Sequence, residues 1–178
     1  MVAWYRLIRV LVARFESVRR LEVRFVKQSR IAAPAARVFA FHESPGAVAR
    51  LTPPWEPVVL VEGGDSLRPG SRVVLEMRIG PARVRWIAQH TEYEAGRLFA
   101  DTQLRGPFAH WNHRHWFLDD ASGGTLLRDE VDFDPPLGPL GRWLTGSWLQ
   151  SKLRRLFDFR HEATRRIVES GDFPGATS

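Results

Sequence analysis

Hydrophobic positions along this chain change their period twice, and the changes divide it into three stretches. Trp4, Leu7, Ile8, Leu11, Val12, Phe15 and Val18 recur at helical spacing, with Arg6, Arg9, Arg14 and Glu16 elsewhere around the wheel, which predicts a basic amphipathic helix over residues 3–20. From Leu21 to Ile31 the alternation is that of a strand. Pro34 to Phe41 predicts a short helix with proline at its start. Ser44-Pro45-Gly46 opens a second short helix through Leu51, which Pro53-Pro54 stops, and Pro57 to Glu62 is a strand ending at Gly63-Gly64.

Ser71 to Phe133 reads as an antiparallel meander with strands at about 71–79, 82–94, 97–104, 110–118 and 125–133. Gly80-Pro81, Ala95-Gly96, Gly106-Pro107 and Ser122-Gly123-Gly124 supply the turns. Alternation turns Val73, Leu75, Met77 and Ile79 inward, with Val84, Trp86, Ala88 and His90 on the next strand, and leaves Arg72, Glu76, Arg78, Arg83 and Arg85 on a solvated face. His90 ends its run, so its face is left open. Pro135 to Gly146 is expected to be a connection, and a long helix follows from about Ser147 to Ser170. Leu149, Leu153, Leu156, Phe157, Ala163 and Ile167 form its apolar stripe, with Arg154, Arg155, Asp158, Glu162, Arg165 and Arg166 mostly off it.

These elements predict an α+β fold, a curved antiparallel sheet wrapped around a long C-terminal helix, with two short helices after the first strand. Such an arrangement favours an internal cavity. The chain divides into an N-terminal helix, residues 1–20, and one domain, residues 21–178. With 178 residues, 44% of them hydrophobic and 26% charged, the domain has enough apolar material for a sizeable core.

Charge changes the picture only at the N-terminus. The net charge is +6, and residues 1–30, with eight basic and two acidic side chains, hold all of it; the remainder carries 18 of each sign. A phosphate-binding body is therefore disfavoured, and no nucleic-acid partner is expected. The arm is open to three readings: docking on its own domain or on a second copy, peripheral attachment to a membrane, or an unstructured extension. It is too charged to span a bilayer and lacks the marks of a secretory signal. Zero cysteines exclude disulfides and thiolate chemistry and fit a cytoplasmic location, peripheral to the membrane if the arm attaches there.

The candidate chemistry sits in one strand. Period-two alternation puts Trp111, His113, His115 and Phe117 on a common face, so two imidazoles lie among aromatics. Pairing inward positions around the Gly106-Pro107 turn sets Phe99 opposite His115, Asp101 opposite His113 and Gln103 opposite Trp111. The same exercise around Ser122-Gly123-Gly124 sets Leu127 opposite Phe117, Asp129 opposite His115 and Val131 opposite His113. Asp101, His113, His115 and Asp129 then form a polar patch in a wall of Trp86, Phe99, Trp111, Phe117, Leu127, Val131 and Phe133.

Four readings of the patch compete. It recognises the polar head of an apolar ligand, it is a self-satisfied structural network, it moves protons, or it holds a metal. His-x-His with two carboxylates has ligand types suited to zinc or iron, but the apolar surroundings argue against coordination, so neither metal nor cofactor is expected. His42, Glu43 and Trp55 are placed at the cavity mouth, with capping or packing as the plainer role of each. His110, out of phase, and His161, near the polar flank of the long helix, are expected at the surface. There is no Gly-rich phosphate loop, no nucleophile elbow and no His-Glu-x-x-His.

The strand after the arm, Phe41-His42-Glu43-Ser44-Pro45 through Leu51-Thr52-Pro53-Pro54-Trp55, Gly106-Pro107-Phe108 to Trp111-x-His113-x-His115-x-Phe117, Gly123-Gly124-Thr125, Pro136-Leu137-Gly138 and the terminal helix together resemble the SRPBCC superfamily. These are START-like, helix-grip proteins, and the nearest branch is the bacterial polyketide cyclase/dehydrase-like, or ligand-binding, group. The resemblance spans about residues 22–170 and implies a deep hydrophobic cavity for a lipid, polyketide or quinone. It carries no catalytic set onto His113 or His115.

The leading expectation is non-catalytic carriage or sensing of a small hydrophobic molecule. Trp55, Trp86, Phe99, Trp111 and Phe117 would supply the wall, and His113, His115, Asp101, Asp129 and His42 the polar contacts. A cyclase/dehydrase in which Asp101 and His113 move protons is the enzymatic alternative. A membrane-associated adaptor working through residues 1–20 is the third.

Overall fold

The computed structural model of the protein describes residues 23–135 and 138–174, with the helix backbone alone over 138–145. The predicted arm helix lies outside these residues. β1 (Val23–Ile31) leads into α1 (Ala35–Glu43) and α2 (Ala47–Arg50). Six strands follow, β2 (Val58–Gly63), β3 (Arg72–Ile79), β4 (Ala82–Glu94), β5 (Leu98–Arg105), β6 (His110–Asp119) and β7 (Thr125–Asp134), and then α3 (Gly138–Ser170). The strands pair antiparallel in the order β1-β7-β6-β5-β4-β3-β2. Consecutive strands β1 and β2 are thus opposite edges, and α1 and α2 carry the chain between them.

Local chemistry ends each piece. The Pro34 carbonyl accepts from the N–H groups of Arg37 and Val38, 2.9 and 3.1 Å away, to start α1. Ser44, in extended conformation, closes it with its hydroxyl donated to the Phe41 carbonyl at 2.6 Å. Gly63 is required where β2 meets β3: its φ is +76°, and a Cβ there would stand 1.9 Å from the Arg72 carbonyl oxygen. Gly171, at φ +75°, donates to the Ile167 carbonyl at 3.0 Å and ends α3.

Two expectations are corrected. α3 begins at Gly138, so most of the expected Pro135–Gly146 connection is helical. Pro139 is tolerated in the first turn, where its missing N–H has no partner to lose. Gly141 and Gly146 each cost about 1 kcal/mol of helix propensity, which burial of Leu149, Leu153 and Phe157 one or more turns later outweighs. Ile79, expected inside, is 49% exposed at the tip of β3, and Val73, Leu75 and Met77 are only half-buried. The cover explains this: α3 packs chiefly on β1, β7 and α1. The inward row of β3 extends past it.

The core falls into two clusters. One gathers Ile31, Val38, Phe39, Phe41, Phe99, Phe117, Leu127, Ile167 and Val168 beneath α1. The other gathers Trp111, Val131, Phe133, Leu149, Leu153 and Phe157. Reading along β6, from Trp111 through His113 and His115 to Phe117, or along β7, from Val131 through Asp129 to Leu127, the chain passes from one cluster to the other across polar residues. The polar patch is a belt between two apolar masses.

Candidate functional site

Period-two alternation on β5, β6 and β7 brings the belt together, because the strand register is the expected one. Phe99 faces His115 and Asp101 faces His113 across β5 and β6. Phe117 faces Leu127, His115 faces Asp129 and His113 faces Val131 across β6 and β7. The β5–β6 ladder ends at Thr102 opposite Asn112, one step short of the expected Gln103 and Trp111 pair. Gln103 instead holds the turn, its Nε2 donating to the Phe108 carbonyl at 2.8 Å.

Asp129 is the hub. Its Oδ1 lies 2.8 Å from His113 Nε2 and 2.7 Å from His115 Nδ1, and its Oδ2 lies 2.5 Å from His161 Nε2 on α3. Three imidazoles therefore converge on one carboxylate, His113 and His161 by hydrogen bonds and His115 in ion-pair contact. The opposite edges of the two β6 rings converge on Asp101: His113 Nδ1 and His115 Nε2 are each 3.7 Å from Asp101 Oδ2. That exceeds a hydrogen bond, so the cluster is closed at Asp129 and open at Asp101. Exposure follows the same gradient, with side chains 5% and 4% exposed for Asp129 and His113 but 15% and 13% for Asp101 and His115.

Burial pushes every ring here toward its neutral form, and the neighbours decide which one yields. For His115 burial is outweighed by the Asp129 charge and by the close approach of both carboxylates, so its pKa rises above the ordinary imidazole value. His113 goes the other way: burial, then the adjacent His115 charge, outweigh Asp129 and Asp101, and its pKa falls. The two rings, with centroids 3.7 Å apart, thus favour opposite protonation states. Burial alone would raise both carboxylates, yet the histidines hold Asp129 well below its ordinary range and Asp101 below it too.

The aromatic expectations divide by position. Phe99, Trp111 and Phe117 are buried on the concave face, and the Phe99 ring stacks on His115 with centroids 4.0 Å apart. Trp86 is half-buried, set edge-on to Trp111 at 4.9 Å, and its indole Nε1 is buried without a hydrogen-bond partner among the described residues. Trp55 stands over α3, 42% exposed, between Phe159 and the Arg155 guanidinium. His42 is buried, packs edge-on against Phe117 and donates from Nδ1 to the Val38 carbonyl at 2.8 Å. Burial, with the helix bond opposing it, pushes its pKa down to about 4. Glu43 is exposed and accepts from the Tyr93 hydroxyl at 2.7 Å.

Two members, His161 and Arg160, escaped the sequence reading. His161, expected at the surface, is 2% exposed and bonded to Asp129. Its signal was in the helix period: Leu149, Leu153 and Phe157 are four apart, and the next step is residue 161. His90, whose face was left open at the end of its run, keeps the phase of Trp86 and Ala88 and faces the concave side opposite Asp101, 6% exposed. Arg160, partly buried over the Phe157 ring, feels both carboxylates, although burial is the larger influence and lowers its pKa. His110 is half-buried at the start of β6, not fully at the surface as expected.

Residues 22–169 match the family described as polyketide cyclase / dehydrase and lipid transport. No curated protein matches the chain in sequence. Among solved structures, a nucleoside-diphosphate sugar epimerase from Corynebacterium glutamicum is 26% identical with a TM-score of 0.66, the likeness covering 83% of this chain and 30% of that one. The Zhui aromatase/cyclase from Streptomyces sp. R1128 is 20% identical, over 82% of this chain and 96% of that one, with a TM-score of 0.58. A norcoclaurine synthase from Thalictrum flavum is 10% identical over 86% and 98% of the two chains, with a TM-score of 0.66, and shares the fold.

Proposed function

The chain belongs to the polyketide cyclase / dehydrase and lipid transport family, and from that premise we propose that it binds a small hydrophobic molecule whose oxygen-bearing head meets the Asp101 end of the belt. Family and fold support a hydrophobic ligand-binding or cyclase role. One observation carries the finer reading. His113 Nδ1, His115 Nε2 and Asp101 Oδ2 converge without closing, at 3.7 Å, while every contact to Asp129 is short. A self-satisfied network would close on both sides. The open side offers a donor at His115 and acceptors at His113 Nδ1 and Asp101 to a hydroxyl or carbonyl, and Phe99, Trp111 and Trp86 give an apolar body something to lie against.

The half-buried inward row of β3 and β4 extends the apolar surface beyond the cover of α3. The test is native-host purification, organic extraction and mass spectrometry, followed by titration of the recovered compound into protein freed of it. A stoichiometric apolar compound whose affinity drops in Asp101→Asn and His115→Gln is the expected outcome. A protein that yields no such compound, or one whose binding ignores both substitutions, refutes the reading.

Proton transfer is the second reading, favoured by the opposed protonation of His113 and His115. A neutral imidazole beside a charged one is a base next to an acid. Acting on a poly-carbonyl substrate, His113→Gln would then abolish turnover while ligand affinity stayed within about tenfold, roughly 1.4 kcal/mol. Unchanged turnover in that variant removes His113 from the chemistry.

A further inference from the structure

The belt holds both β6 imidazoles in a posture that a hydrogen-bond network does not need. Each ring sets one nitrogen against Asp129 Oδ1, at 2.8 Å for His113 and 2.7 Å for His115. Each then presents its other nitrogen toward Asp101 Oδ2 at 3.7 Å. A carboxylate gripping the far N–H of an imidazole fixes the tautomer whose free nitrogen carries a lone pair, and raises its basicity; this is the usual outer support of a metal-bound histidine. Here one carboxylate supports two rings at once. Asp129 is itself fixed by His161 Nε2 at 2.5 Å, so the support is anchored to both sheet and helix.

Ligand atoms on a common zinc or iron ion, at about 2.0–2.2 Å from it, stand roughly 3–4 Å apart. His113 Nδ1, His115 Nε2 and Asp101 Oδ2 all lie within 4.8 Å of one another, with both nitrogen-to-oxygen distances at 3.7 Å. The two nitrogen-to-oxygen distances reach coordination distance by contracting a few tenths of an ångström, and the nitrogen-to-nitrogen separation, within 4.8 Å, closes by a side-chain adjustment of up to about an ångström. We propose that His113, His115 and Asp101 bind one divalent first-row transition-metal ion, zinc or iron(II), through those three atoms. Two imidazoles and one carboxylate leave open coordination positions, the donor set of catalytic zinc and of non-haem iron.

Residue order offers the ligand types, His-x-His with two carboxylates, but the apolar surroundings argue against coordination. The belt supplies what apolar neighbours do not, an outer carboxylate held on three sides. The proposal shares its residues with the ligand-binding reading but does not rest on it, since the ion is tested with no organic molecule present.

The experiment strips the full chain with a chelator and titrates it with Zn2+, and separately with Co2+. The expected result is uptake of about one ion per chain and Co2+ absorption bands of a nitrogen- and oxygen-ligated ion. Asp101→Asn and His115→Gln should each weaken uptake by about 100-fold or more, and Asp129→Asn by about 10–100-fold. His110→Gln should leave it unchanged. The wild-type protein alone also decides: paramagnetic broadening by Co2+ of the His113 and His115 ring resonances supports the site. Broadening confined to other histidines, no uptake, or uptake that survives Asp101→Asn and His115→Gln overturns it. A metal-free result would leave ligand extraction and titration free to succeed, so the two readings fail separately.

Discussion

Asp129 and His161 are 32 positions apart in sequence, yet His161 Nε2 stands 2.5 Å from Asp129 Oδ2. This bond ties α3 to the carboxylate that already receives both histidines of β6. Helix docking and site geometry therefore share one atom group, and the site forms only when the fold is complete.

Removing that group should be costly. Asp129→Ala leaves three buried imidazoles without an acceptor, and breaking a buried charge pair from one side costs about 3–5 kcal/mol. Urea unfolding of Asp129→Ala is expected to show a loss of that size, with Asp129→Asn losing less because it keeps an acceptor. A loss under about 1 kcal/mol in the alanine variant would contradict the hub.

His42 makes stability fall with acid. Its folded pKa, about 4, lies below the ordinary imidazole value of 6.5, so the unfolded chain binds the proton more readily. The contribution is complete above pH 6.5 and is lost as pH falls toward 4, by roughly 2–3 kcal/mol. The groups facing His42 are His115 and His161, which disfavour its charge, and Asp129, which favours it. Unfolding free energies between pH 7 and pH 4 should decline less steeply in His42→Phe than in the wild type. Parallel slopes would refute the assignment.

Trp86 carries a buried indole N–H with no partner among the described residues. Trp86→Phe keeps the ring against Trp111 and removes the orphaned donor, so thermal stability should be unchanged within about 1 kcal/mol. If the bound molecule accepts from that N–H, its affinity should drop about tenfold, by roughly 1.4 kcal/mol. Calorimetric titration separates these outcomes, and intact affinity in the variant excludes Trp86 as a contact.

Thr125 is fully buried and donates its hydroxyl to the Ala33 carbonyl at 2.6 Å, pinning the start of β7 to the turn between β1 and α1. Thr125→Val keeps the shape and leaves the carbonyl unpaired, at a cost of about 1–3 kcal/mol. Chemical denaturation of this variant checks the value. Wild-type stability there would mean the carbonyl finds another donor.

Much of this was legible from residue order. Alternation fixes a strand's faces, and two turns with clear chemistry fix its partners. That suffices for Asp101, His113, His115 and Asp129 to meet on the page as they meet in the fold. What stayed hidden depends on packing. His161 sits between Arg160 and Glu162, and neighbours that polar mask a position whose face is decided by 3.6-residue phase. The register shift between His90 and Glu92 resets the phase of β4 beyond His90, with no glycine to announce it. The early start of α3 at Gly138 likewise reflects docking of later residues more than local propensity.

The two halves of the grip answer to different demands. Where α3 lies on β1 and β7, residues are held in place by cohesion, and change is penalised through folding. Along Val73, Leu75 and Met77 the side chains are half-covered, and a swap of one apolar shape for another there costs little. Selection can thus retool what this surface accommodates while the imidazole belt and its scaffold stay untouched. Diversification is cheap at the rim because the hinge pin of the architecture lies elsewhere.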